Sequence, residues 1–181
     1  EVFGEKRSLE TARKAADYII ARWAGKPDDW DAGTGVATHV SVTGLERAMI
    51  HLNRHTGEPS YLQFCLGPRG LVDWDLDIVI GRRRLIEGHI YAYLCRCLAQ
   101  LELYRSMPEP KLQRPSKRAA AFMTCGDGMA VTGGCGQWEI WTNDQDGRGQ
   151  LAESCATAYQ LRVYDRLLRM KGESVYGDLM E

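Results

Sequence analysis

Ile86-Glu87-Gly88-His89-Ile90-Tyr91-Ala92-Tyr93-Leu94-Cys95-Arg96-Cys97-Leu98-Ala99-Gln100-Leu101-Glu102-Leu103-Tyr104 carries the strongest periodic signal of the chain. Ile86, Ile90, Tyr93, Leu94, Cys97, Leu101 and Tyr104 recur at three- and four-residue steps, which is the spacing of one helix face. The pattern predicts a helix over 84–106 with these side chains as its buried stripe. Cys95 and Cys97, two apart on such a helix, point about 200° away from one another and cannot grip one ion together.

The same period recurs on both sides. Leu9, Ala12, Ala16, Ile19, Ile20 and Trp23 mark a helix over 8–23, closed by Gly25 and Pro27. Leu45, Ala48, Met49 and Leu52 mark another over 41–55. Thr56-Gly57-Glu58-Pro59 breaks it, and a short helix starts near Ser60 with Tyr61 and Phe64 facing inward. Residues 67–84, with Pro68, Gly70 and Gly81, read as a long loop with a short strand within it. Pro108, Pro110 and Pro115 turn the chain toward a helix over 116–124, and the glycine-rich stretch 126–149 cannot be helical throughout. Helix resumes over 151–170 with Ala156, Tyr159, Val163, Leu167 and Met170 on one face, and Gly172 ends it.

Helix, break, helix at this interval is the mark of an all-α protein built from stacked hairpins. His55-Thr56-Gly57-Glu58-Pro59-Ser60-Tyr61-Leu62 and Met170-Lys171-Gly172-Glu173-Ser174-Val175-Tyr176-Gly177 are loosely alike, which hints at repeated units in a solenoid or a closed α/α barrel.

With 181 residues, 44% apolar and 26% charged, the chain suits one globular domain. A net charge of −1 gives no electrostatic case for nucleic acid or an anionic membrane surface, and no run approaches the ~20 apolar residues of a membrane span. There is no initiator Met, and Val175 to Glu181 stops within what reads as a further element. We therefore expect residues 1–181 to be part of a larger catalytic domain, truncated at the C-terminus and at the N-terminus. The six cysteines are too sparse for a disulfide scaffold, and most are expected to be buried thiols.

Two constellations carry chemistry. Glu153 and Cys155 flank Ser154 where a loop meets a helix, and zinc accepts carboxylate and thiolate together. They can share a side only if Glu153 lies before the first helical turn, which Gly147 and Gly149 just upstream favour. A helix N-terminus is expected to lower the Cys155 thiol pKa, toward the metal-binding form. The alternative is a dipole-favoured glutamate beside a core thiol. Glu139 stands between Trp138 and Trp141; a carboxyl amid indoles would be pushed toward the range of a general acid. Its alternative is a solvated loop carboxylate. His89, after Gly88, is either a pocket hydrogen-bonding group or an ordinary helix-face histidine. Asp73-Trp74-Asp75-Leu76-Asp77 opens like a calcium loop but has Ile78 and Arg84 where glycine and glutamate are needed.

The order Gly88-His89, Thr132-Gly133-Gly134, Glu139-Ile140-Trp141, Glu153-Ser154-Cys155-Ala156-Thr157 and Tyr176-Gly177-Asp178-Leu179-Met180-Glu181 resembles glycoside hydrolase family 127, the β-L-arabinofuranosidases. The likeness is strongest from Ile86 onward; a weaker match runs from Thr43-Gly44-Leu45-Glu46 through Tyr61-Leu62. It implies an (α/α)6 barrel, of which this chain is part, and a zinc ion held by one glutamate and three cysteines. By position it implies Glu153 and Cys155 as two metal ligands, Glu139 as general acid/base, and His89 and Glu181 as residues that hold the sugar. A later cysteine, beyond Glu181, is implied as a ligand and as the nucleophile of a retaining hydrolysis, so the chain alone is expected to be inert. Ser154 stands where threonine is common, and the segment between Thr132-Gly133-Gly134 and Glu139 is short and tryptophan-rich. The expected partner is a carbohydrate; a homodimer is compatible with the sequence, and nucleic acid and membrane are not expected. Two other functions fit the periodicity: a sugar epimerase on an α/α barrel, using His89 with other histidines, and a helical-repeat binding protein without chemistry.

Overall fold

The computed structural model describes residues 6–25, 43–81, 86–144 and 152–181. Seven α-helices occur among them: α1 Lys6–Trp23, α2 Leu45–Thr56, α3 Pro59–Leu66, α4 Ile90–Tyr104, α5 Arg114–Cys125, α6 Ser154–Lys171 and α7 Val175–Asp178, with a 3-10 turn at Pro110–Gln113 before α5. No strand forms among the described residues, only three isolated bridges. The all-α class is as read from the sequence, and the short strand expected within 67–84 is absent from its described part.

α4 lies at the centre. One side of it, through Ile90, Tyr93, Leu94, Cys97, Leu98 and Leu101, packs with α5, α6, Trp74, Trp141 and Tyr176. The other, through Ala99 and Leu103, packs with α1, α2 and α3 and with Leu71 and Leu112. The expected single stripe was too narrow: every residue from Ala92 to Leu103 is buried. A helix enclosed on all sides is the rule for a core element, and the polar residues of α4 are tolerated because each has partners. Glu102 is fully buried against Arg54 (2.7 Å), Arg166 (2.5 Å) and Arg105 (3.4 Å). Arg96 meets Glu46 (3.5 Å), which also binds Arg69 (2.7 Å).

These polar side chains also order the long loop 67–81. Gln100 Nε2 donates to the carbonyls of Leu71 (2.9 Å) and Trp74 (2.7 Å), Arg96 donates to that of Arg69, and the Tyr93 hydroxyl donates to that of Leu76 (2.8 Å). The acidic run that resembled a calcium loop instead meets basic side chains of the 3-10 turn and α5: Asp73 with Lys111 (2.9 Å), Asp75 with Arg118 (2.8 Å), Asp77 with Arg118 (3.0 Å).

The two similar phrases occupy equivalent turns. Gly57 (φ 72°) ends α2 and Gly172 (φ 69°) ends α6, each in the left-handed conformation of a helix C-terminus. Four residues after each comes a buried tyrosine, Tyr61 in α3 and Tyr176 in α7.

The strongest helix starts at Ile90, later than the 84 expected. Residues 86–88 form a turn and His89 is the cap; 84 and 85 lie outside the described residues, as do His39, Gly147 and Gly149. No described helix is long and apolar enough to cross a membrane.

Candidate active site

The loop between α5 and α6 folds back onto the heads of α4 and α6. Gln137 and Ile140 exchange both backbone hydrogen bonds (Gln137 N–H to Ile140 O, 3.2 Å; Ile140 N–H to Gln137 O, 3.0 Å). They close a two-residue turn over Trp138 (φ 54°) and Glu139 (φ 67°). Two positive φ values in succession are the type I′ arrangement, whose usual residues are Asn-Gly. For residues with a Cβ each left-handed conformation costs roughly 1–2 kcal/mol.

Three contacts hold the turn against that cost. Glu139 donates its N–H to Glu153 Oε1 at 2.6 Å, its carbonyl accepts from Ile90 N–H at 3.1 Å, and Trp141 N–H reaches Gly88 O at 3.3 Å. A hydrogen bond to a charged group contributes about 1.5–3 kcal/mol, enough to offset the strain at Glu139. Behind the turn, the fully buried Trp141 meets Tyr93 and Phe122 edge-on, both with ring centroids 5.4 Å away. Gly134 permits the approach of this loop to α6, since a Cβ there would lie 2.4 Å from Ala152 Cβ.

His89 caps α4: its Nδ1 accepts the Ala92 N–H at 3.3 Å. With Nδ1 as acceptor, the neutral ring carries its proton on Nε2, and Nε2 faces Glu139 Oε2 at 3.8 Å. His89 is therefore a helix cap with its outer nitrogen at the site, rather than a residue on a helix face.

Glu153 is the extended residue immediately before α6, so its side chain and that of Cys155 fall on one side. Its second oxygen, Oε2, lies 3.9 Å from Cys155 Sγ. The expected lowering of the Cys155 pKa is reversed: burial pushes the thiol up, the Glu153 charge and then that of Glu139 add to it, and the backbone N–H groups of the helix end only partly offset them. Cys135, not singled out by its sequence context, backs the pair. Its carbonyl accepts the Glu153 N–H (3.0 Å), its own N–H donates to Thr157 Oγ1 (3.3 Å), and burial together with Cys155 and Glu153 pushes its thiol up to about 12.

Glu139, His89, Glu153 and Cys155, from three separated segments, thus meet in one place. The indoles do not enclose Glu139 as expected: Trp141 belongs to the core, Trp138 points to solvent, and the Glu139 side chain is 41% exposed. Glu181 is exposed beyond α7, outside the contacts that relate the other four. Among the described residues no group of three His, Cys, Asp or Glu is arranged to hold a metal.

All of residues 1–181 match the family described as beta-L-arabinofuranosidase, GH127 catalytic domain. The chain belongs to this family. Its substrate class is thereby carbohydrate, and its reaction class glycoside hydrolysis. The family match covers the N-terminal half as fully as the segment from Ile86 onward, where the motifs are densest. No curated protein and no solved structure gives a significant match.

Proposed function

We propose that this β-L-arabinofuranosidase family member is a zinc-dependent retaining glycosidase acting on arabinose-containing glycans, and that its helices are part of an (α/α)6 barrel. The observation that carries the reading is the 2.6 Å bond between the Glu139 N–H and Glu153, which joins an acid/base carboxylate to a carboxylate–thiol pair. Glu139 projects from a turn whose N–H and C=O are both fixed, with its Oε2 3.8 Å from His89 Nε2, and in this reading its carboxyl protonates the departing oxygen and then takes a proton from water. His89, anchored through Nδ1, offers Nε2–H to a sugar hydroxyl or to Glu139 itself. Glu181 completes the sugar contacts in this reading, and the nucleophile is a cysteine outside this chain.

Glu153 and Cys155 would hold the metal. Their 3.9 Å separation fits: a tetrahedral zinc with bonds of about 2.0 Å to oxygen and 2.3 Å to sulfur spans about 3.5 Å between the two donors. Burial raises the Cys155 thiol pKa most, and the Glu153 and Glu139 charges that add to it also make the place attractive to a cation. When bound, zinc would supply the positive charge that keeps coordinated thiols ionised at neutral pH.

Family membership favours this reading over the sugar epimerase and the binding module. The test is metal content and arabinofuranosidase activity of the full-length protein and its Cys155→Ala variant. Loss of both is expected; unchanged zinc and turnover would remove the metal assignment, and turnover that survives full chelation would remove zinc from the reaction.

A further inference from the structure

We propose that Trp138 is the platform on which the leaving-group side of the glycan stacks, and that it sets which glycans the neighbouring acid/base carboxylate can serve. The inference deepens the glycosidase reading and rests on it.

Trp138 is 60% exposed. Trp74 and Trp141 are core residues, and Trp23 packs edge-on against Tyr18. Trp138 has no ring partner of this kind among the described residues, and most of its surface is open to solvent. Its backbone argues the same way. At φ 54° glycine or asparagine would sit with less strain, and a large ring is unexpected at such a position without some gain elsewhere. Strained residues that the surroundings hold in place concentrate at functional sites.

Placement says what the gain is. Trp138 and Glu139 are the two central residues of one turn, closed by the paired bonds of Gln137 and Ile140 and tied to α4 and α6. The ring and the carboxyl therefore leave neighbouring positions of one held backbone. The group that protonates a glycosidic oxygen stands at the junction between the sugar and what departs, so an exposed ring one residue away borders the departing portion. The C–H faces of a pyranose or furanose ring, or an aromatic aglycone, are suited to the flat face of an indole. Pairings of this sort are worth up to about tenfold in affinity.

The experiment compares two substrates that share the sugar and differ in what leaves: a β-L-arabinofuranosyl disaccharide and methyl β-L-arabinofuranoside. They are assayed with the full-length protein and its Trp138→Phe, Trp138→Asn and Trp138→Gly variants. Asn and Gly both accept the left-handed backbone, so thermal melting should show all variants folded, and either one suffices if the other fails. KM for the disaccharide is expected to rise about tenfold in Trp138→Asn or Trp138→Gly and to recover in Trp138→Phe, while the methyl glycoside changes less than twofold. Equal change on both substrates, or none on either, overturns the proposal. A second readout is independent of turnover: the disaccharide should shift tryptophan emission in the parent protein but not in Trp138→Phe. If the parent hydrolyses neither glycoside, the arabinofuranosidase reading fails on its own. The emission titration, run with that disaccharide and with a xylose disaccharide, then decides the platform, and no shift with either overturns it.

Discussion

Glu153 reaches across 14 residues to accept the backbone N–H of Glu139 at 2.6 Å, while its other oxygen faces Cys155 Sγ. One carboxylate thus serves two neighbours: it secures a strained turn and contributes half of a donor pair. The two roles separate by substitution. Glu153→Gln keeps an amide oxygen for the N–H and is expected to hold the turn while losing metal affinity. Glu153→Ala loses both, and its stability should fall by a further 1.5–3 kcal/mol or so. Denaturant unfolding of the two variants side by side, with metal analysis, reads the difference; equal stability would mean the bond does not hold the turn.

Glu139→Gln should leave the fold intact, because the side chain is partly exposed and the turn is held through its backbone. Removing a general acid/base lowers turnover by about 10²–10⁴. Steady-state assays with a poor and a good leaving group check the role: the loss should shrink for an aryl glycoside whose oxygen needs little protonation. An equal loss for both would point to a structural part for Glu139.

Glu102 links stability to pH. Burial would raise its pKa, but the Arg54 hydrogen bond and the charges of Arg166, His51 and Arg54 outweigh that and hold it below the usual glutamate value. A folded-state pKa depressed in this way contributes stability above the unfolded value, about 4.3. That stability is lost as pH falls through the folded value. Thermal melts below about pH 4.3 should therefore fall more steeply in the parent than in Glu102→Gln. At pH 7 that variant should be destabilised by about 3–5 kcal/mol, since Arg54 and Arg166 lose their buried counter-charge.

Trp141→Ala removes the fully buried ring behind the Trp138–Glu139 turn and the edge contacts to Tyr93 and Phe122. A cost of about 3–5 kcal/mol is expected, seen as a lower unfolding midpoint. Trp138→Ala, on the exposed side of the same turn, should change the midpoint by far less.

Much of this was legible in the sequence. The helix expected over 8–23 is α1, Lys6–Trp23, and the one over 151–170 is α6, Ser154–Lys171, because a 3.6-residue period bounded by glycine leaves little choice. The resemblance between the Gly57 and Gly172 phrases marked equivalent helix ends. The enclosure of α4 was not legible: Arg96, Gln100 and Glu102 lie off the apolar stripe, and their partners lie up to tens of residues away, at Arg69, Leu71, Arg54 and Arg166. The turn at Trp138 and Glu139 escaped notice because neither is a residue that favours positive φ; long-range bonds impose it. The Cys155 thiol was misjudged for a related reason. The helix end acts as expected, but burial and two carboxylates folded against it act more strongly.

The Ile90 N–H, first in α4, is bonded to the carbonyl of Glu139, so the hairpin bearing that carboxyl hangs from the head of the most enclosed element in the molecule. The support of the candidate site and the axle of the fold are one piece. Warming should not loosen the working end ahead of the body, and the amide proton of Ile90 should exchange with deuterium only as fast as the whole domain comes apart.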